Sequence, residues 1–308
     1  MAVIYQRNRQ YSLVVGTASN AFEVTNLQIT FRANKTSSNK DKKNKAHIEI
    51  YNLSKDHQAL LEQPYVAVVL SVGYEDTGLK RLFAGQAFSV GTKKQGPDTI
   101  TEIDIEAYFT ELNFKTVSKL VPAGKTVRQV IQELIKEIPE VSKSIFNGEN
   151  IKKTVVDGYP MSGNPRRILD DISRAYKIDW QIDDGVLFIS DEGDAYTNDK
   201  NTAFLIHERS GLIERPYYET KNIKDPSGRK VETVGKDGKS HKKIKKVPKK
   251  SIRLKILMNP AIYAGSIIRI EYGDFTGFYK VDEVQHEGDF RGDTWYSEIK
   301  CSERVLDK

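Results

Sequence analysis

Two runs of basic residues are the strongest chemical signal in this sequence. Residues 221–250 hold 12 Lys and Arg against three acids, a net of +9, and residues 32–45 hold six against Asp41, a net of +5. Side chains packed this densely could neutralise phosphates, and such binding would weaken with salt. Single-strand binders, however, interleave stacking aromatics with their cations, and residues 221–250 contain no Phe, Tyr or Trp. The runs therefore read as solvated or partner-docking segments. The docking candidates are Lys242, Lys243, Lys245, Lys246, Lys249 and Lys250 in the longer run and Lys42, Lys43 and Lys45 in the shorter.

Other constellations are weaker. Ala123-Gly124-Lys125-Thr126 resembles the end of a phosphate-cradling loop, but the first glycine of that pattern would fall at Lys119 and Pro122 interrupts it. A helix start explains the same residues. The histidines, His47, His57, His207, His241 and His286, lack the close spacing of a zinc site. Cys301, the one cysteine, alternates with Ile299 as a buried strand residue would, and no Gly-x-Ser-x-Gly elbow is present. Paired carboxylates could hydrolyse glycosides if they faced a cleft, but Asp170-Asp171 lie on a helix, Asp183-Asp184 make a turn, and Glu287 with Asp289 read as solvated. No catalytic, cofactor or metal residue is expected, and the chain reads as a non-enzyme.

The elements that would carry these residues alternate in type along the chain. Residues 1–115 show period-two patterning in Leu27-Gln28-Ile29-Thr30-Phe31, His47–Leu53, Tyr65–Tyr74, Leu82–Val90 and Thr99–Phe109, separated by glycine-rich and polar turns. Five or six strands without comparable helices argue for an antiparallel sandwich or barrel. Residues 116–195 form a small α+β domain. Val127, Val130, Ile131, Leu134, Ile135 and Ile138 make one helix face, with Thr126 and Gln129 as a capping box and Pro139 as the stop. Asn164-Pro165 opens a second helix bearing Ile168, Leu169, Ile172, Ala175 and Tyr176. Asp183-Asp184-Gly185 then joins two short strands as a hairpin. From 196 to 308 the strand pattern resumes in Ile252–Leu257, Ser266–Tyr272, Phe278–Val284 and Thr294–Ser302, while Lys221–Lys250 reads as a long loop.

Length and composition fit this order. At 308 residues, 38% hydrophobic and 29% charged, the chain suits two or three globular domains and neither a fibre nor a wholly disordered polymer. One cysteine permits no intrachain disulfide. The first ten residues do not read as a secretory signal, and no window approaches the ~18 consecutive apolar residues of a membrane span. Folding in a cytoplasm, without membrane insertion, is the expectation.

Three segments, taken in order, resemble the baseplate hub proteins of contractile-tailed bacteriophages, a family related to the late control protein D group. The first is Leu27–Phe31 with Asn44–Ser54, Leu70–Tyr74 and Leu82–Gly85. The second is Gly158–Pro165 with the Trp180 hairpin, and the third is Asn259-Pro260, Gly265-Ser266, Gly277–Val281 and His286–Ser297. The resemblance implies a mainly β chain in which two tail-tube-like antiparallel β-barrel domains flank the α+β domain. It further implies that three chains close into a homotrimeric, pseudo-sixfold ring that acts as a symmetry adaptor. That ring would join the hexameric tail tube, or a tube-initiator protein, to a trimeric central spike. Baseplate wedge and tape-measure proteins would be further partners, and genome DNA would pass through a channel without specific binding. Assembly would occur in the host cytoplasm and the product would reside in the virion. The alternatives from other classes are a tail-associated cell-wall hydrolase and a basic nucleic-acid-binding protein.

The overall charge of +6 is a property of the two runs. Without residues 221–250 the chain is −3, and without 32–45 as well it is −8. An acidic body suits a channel that DNA traverses without sticking.

Overall fold

A computed structural model describes residues 7–17, 19–38, 44–197, 203–221 and 249–303. The first third contributes β1 (Arg9–Gly16), β2 (Ala21–Val24), β3 (Ile29–Thr36), β4 (Lys45–Tyr51), β5 (Ala67–Tyr74), β6 (Gly78–Gln95) and β7 (Asp98–Glu106). Strict alternation buries one face: Ile29, Phe31 and Ala33 of β3 and Ala46, Ile48 and Ile50 of β4 all point into one core. A short helix, α1 (Lys55–Leu61), interrupts the strands, capped by Ser54 Oγ accepting the His57 N–H at 3.3 Å. It was not expected, because seven residues are too few to show a 3.6-residue period.

The middle third carries α2 (Phe109–Asn113), β8 (Val117–Val121), α3 (Val127–Ile135), β9 (Lys143–Asn147), β10 (Tyr159–Gly163), α4 (Pro165–Tyr176), β11 (Ile178–Asp183) and β12 (Val186–Asp191). Both reciprocal bonds of the capping box at Thr126 and Gln129 are present. Asn164 caps α4, with Pro165 at its first turn. The β11–β12 hairpin turns through Asp184 and Gly185, both left-handed (φ 49° and 78°), which the right-handed twist of the strands favours. These elements enclose a core of their own, with Trp180 fully buried.

The last third contributes β13 (Phe204–His207), β14 (Leu212–Lys221), β15 (Lys249–Leu257), β16 (Ile267–Glu271), β17 (Gly277–Asp289) and β18 (Trp295–Glu303) around a third core. The mainly β class with a small α+β domain is as expected, and the difference lies in the barrels, which are not closed. The strands of the first and last thirds join in one 13-stranded sheet whose main path runs β14-β15-β18-β17-β3-β4-β7-β6-β5-β1-β2, and no closed barrel forms among the described residues. The cause is β17. Gly277–Lys280 on one of its edges takes β16, and Glu283–Asp289 on the same edge takes β3, while β18 occupies the other edge from Tyr279 to Gly288. A strand edge that accepts a neighbour from the other sheet merges the two sheets.

The pairing scheme also repeats within the chain. The run β3-β4-β7-β6 with β5 on its flank recurs as β14-β15-β18-β17 with β16. Bulges fall at the same place: Phe88 is the extra residue where β6 pairs β7, and Asp282 is the extra residue where β17 pairs β18. Superposing these registers sets Ile48 with Leu254, Ile103 with Ile299, and the fully buried Thr101 with the fully buried Ser297. Cys301 falls on Ile105, both at 0% exposure, so the lone cysteine is a core residue.

At the β3–β17 junction Gly288 stands opposite Phe31, whose ring covers the glycine and meets Trp295 edge-on at 5.4 Å. A Cβ at position 288 would lie 2.2 Å from Phe31 Cζ. Gly288→Ala is therefore expected to destabilise the fold by about 1–3 kcal/mol through overpacking. Urea denaturation would measure it, and the same glycine change made on a Phe31→Ala background should cost less than it does in the native chain.

Candidate functional site

The carboxylates singled out for hydrolytic chemistry are each engaged elsewhere. Asp170 accepts the Trp180 indole N–H at 3.0 Å, and burial raises its pKa. Asp171 pairs with Arg174, and Asp184 with Arg81. Glu287 accepts from Arg32 at 2.7 Å and from the Tyr296 hydroxyl at 2.6 Å, while Asp289 accepts from Gln28 at 2.6 Å and from the backbone N–H of Gly292. Among the described residues no group of three His, Cys, Asp or Glu converges to hold a metal. Thr126 caps α3 and Lys125 lines an open groove between α3 and β8. Burial pushes the Cys301 thiol well above its ordinary pKa, away from the reactive thiolate.

What the fold does bring together is a polar junction where the long sheet meets the helical domain. Lys35 of β3 is 7% exposed and donates to both carboxylate oxygens of Asp183 on β11, at 3.0 and 2.9 Å. Around this pair Ser38 donates to Asp179 at 2.9 Å, Asn44 accepts the Thr36 N–H and donates to the Ile182 carbonyl, and the Tyr196 hydroxyl donates to the Ser37 carbonyl. A second tie runs from α4, where Arg166 donates to the buried Glu106 of β7 at 2.8 Å. His286 of β17 lies fully buried near Lys35, its Nδ1 2.8 Å from Ser297 Oγ and its Nε2 without a hydrogen-bond partner among the described residues. Burial, and secondarily the Lys35 charge, hold its pKa down at about 3.

The basic run 32–45 reads in sequence as a solvated or partner-docking segment, yet Lys35 within it is buried, and so is His286. The missed signal was the alternation itself. Lys35 continues the inward face of Ile29, Phe31 and Ala33, and His286 shares a face with the fully buried Val284.

Among the docking candidates, Lys45 lies on β4, 3.7 Å from Glu106 and 4.8 Å above the Phe88 ring, so it serves an intrachain contact. The backbones of Lys249 and Lys250 pair with Lys221 and Thr220 in β14. Lys42, Lys43, Lys242, Lys243, Lys245 and Lys246 lie outside the described residues.

Open strand edges are the remaining surface of note. β14 is the last strand on the sheet's path, with Ile213, Tyr217 and Tyr218 about half exposed. β6 pairs β7 as far as Gln95, but β5 follows its other edge only to Gln86, which leaves Ser89–Lys93 without a strand on that side among the described residues.

A family model described as Baseplate hub gp41 matches residues 12–224. No curated protein matches the chain. Among solved structures, a tail protein from Neisseria meningitidis is similar with a TM-score of 0.62 at 11% identity, over 95% of this chain and 96% of that one. A 43 kDa tail protein of prophage MuSo2 from Shewanella oneidensis is similar at 0.61 and 9%, over 94% and 98%. The E. coli c3393 protein, described as a type VI secretion component with structural similarity to T4 bacteriophage tail proteins gp27 and gp5, is similar at 0.56 and 10%, over 90% and 74%. At these identities the likeness shows the fold.

Two outcomes are expected from the polar junction. Lys35→Ala leaves a largely buried carboxylate at Asp183 and should cost about 2–3 kcal/mol in urea denaturation, whereas the double variant Lys35→Met, Asp183→Leu should cost much less than the two single changes added. His286 stays neutral in the fold while an unfolded histidine takes a proton near pH 6.5. The unfolded state then binds more protons between about pH 6.5 and 3, so stability should fall as pH drops through that window. At pH 5 the loss relative to pH 7 should be about 2 kcal/mol greater than in His286→Gln, read as the difference in denaturation midpoints at the two pH values.

Proposed function

The chain belongs to the Baseplate hub gp41 family, and from that premise we propose that three copies form the ring that joins a phage tail tube to its central spike. The family carries the coarser statement: this is a structural protein of the phage tail baseplate. The observation that best supports the finer reading is the internal repeat, two four-strand units joined edge to edge through β3 and β17. Three such chains offer six similar units to a hexameric tube and three helical domains to a threefold spike. Matching the two symmetries is interface work and needs no reacting group.

The divisions at 115 and 195 are part of this reading. Three hydrophobic cores, centred in the first, middle and last thirds, support them, although Met258 and Trp295 from the last third pack into the first core. A channel for the genome follows from the ring, and the −8 charge of the chain outside its two basic runs suits a lumen poor in Lys and Arg. Wedge, tube-initiator and tape-measure proteins are further partners in this proposal. The basic residues of 221–250, Lys242, Lys243, Lys245 and Lys246 among them, would dock on an acidic neighbouring protein, as would Lys42 and Lys43.

Purified chain, imaged by cryo-EM with its spike protein, should give threefold rings about a pore, and a stable monomer under those conditions would overturn the proposal. Deleting residues 222–248 should leave the ring and weaken its assembly with tube and spike. Unaltered assembly would remove the docking role from the basic run.

A further inference from the structure

The helical domain carries an open strand edge of its own. β8 and β10 form a two-stranded ribbon, and no second strand lies beside β8 among the described residues. Pro160 stands opposite Leu120 and has no N–H to give, so the hydrogen-bonded pairs of the ribbon are Val121 with Tyr159 and Lys119 with Met161. The N–H and C=O groups of Ser118 and Leu120 therefore point away from β10. Neither residue has another backbone partner among the described residues.

Beside this edge runs the groove between β8 and α3, about 540 Å³ in volume. Leu120 and Pro122 give it an apolar wall, and Leu120 is 68% exposed. Lysines on an edge strand commonly keep other strands away. Here Lys119 is drawn down to Glu133 of α3, at 2.6 Å. Lys119, Lys125 and Lys136 line the groove against Glu133 alone. Glu133 lies 2.6 Å from both Lys119 and Lys136, whose hydrogen bonds hold its carboxyl down at about 2. The groove is thus a positive spot on a chain that carries −8 outside its two basic runs.

We infer that this groove takes an extended, acidic segment of another protein, laid along β8 as a third strand. Main-chain bonds to Ser118 and Leu120 supply the affinity, and side chains set the choice of segment. The fitting pattern alternates: an apolar residue beside Leu120, with carboxylates toward Lys119 and Lys125. The chain's own run at 221–250 carries +9, and the same lysines repel it. A nucleic acid would satisfy the lysines but leave the strand edge and Leu120 without partners. The groove lies outside the repeated four-strand units, so the inference stands independently of the ring.

Hydrogen exchange on the full-length chain tests it at the level of the segment. The probe is a ten-residue peptide of alternating Glu and Val. In its presence the amides of residues 117–121 should exchange at least tenfold more slowly, and a peptide of alternating Lys and Val should leave them unchanged. Lys125→Glu alters an exposed side chain and should cut the protection at least fivefold with the melting temperature unchanged. A strand offers alternate amides to its two edges. Methylating the backbone nitrogens of the valines or of the glutamates should therefore give two peptides that differ at least tenfold in protection. Absence of protection in β8, protection that survives Lys125→Glu, or equal protection by the two methylated peptides would overturn the inference. Protection of residues 117–121 by a single-stranded oligonucleotide as strong as that by the acidic peptide would reduce the groove to a polyanion site and overturn it too. Each of these failures would leave threefold rings in cryo-EM untouched.

Discussion

The structure depends on how the hydrogen-bonding edge of one long strand is shared. β17 is long enough to hold β16 along its first residues and β3 along its last, and a bulge at Asp282 separates the two stretches. Had β17 stopped at the bulge, the sheets of the first and last thirds would each end in an unpaired edge. Because it continues, β3 finds a partner 250 residues away in sequence, and the polar junction forms where β3 leaves the sheet. Lys35 can reach Asp183 only because β3 is held against β17 on one side and β4 on the other.

The ion pair at this junction has a structural logic that a surface bridge lacks. Exposed pairs contribute little because water and salt screen them. A buried pair is different: its net value is small, but loss of either member leaves a stranded charge. Such a contact fixes the position of the helical domain on the sheet more than it adds stability. The shell of Ser38, Asn44 and Tyr196 bonds around it narrows that position further.

Local features were legible in the sequence wherever local chemistry decides them. The capping box at Thr126, the Asn164-Pro165 helix start and the Asp184-Gly185 turn depend on a few adjacent residues, and each stands where the spacing puts it. The merging of two sheets was not legible, because the same alternating strand can end in a closed barrel or in an open shared edge, and the choice rests on contacts between distant segments. Nor was the repeat, since matched positions keep inward-facing character but little identity: Ile48 with Leu254, Ile105 with Cys301. Charge misled at Lys35, where the company of other lysines outweighed its place on an inward face.

The repeat is incomplete, and its gaps have a meaning of their own. β5 meets β1 antiparallel, whereas its counterpart β16 meets β13 parallel, and the helical domain follows only the first unit. In the proposed ring of three chains, a partner that touched only the shared four-strand pattern would count six equivalent seats. A partner that touched the helices, or the β13 flank, would count three. The number a neighbour perceives would then depend on which face it approaches, so one polypeptide could serve two stoichiometries without moving an atom.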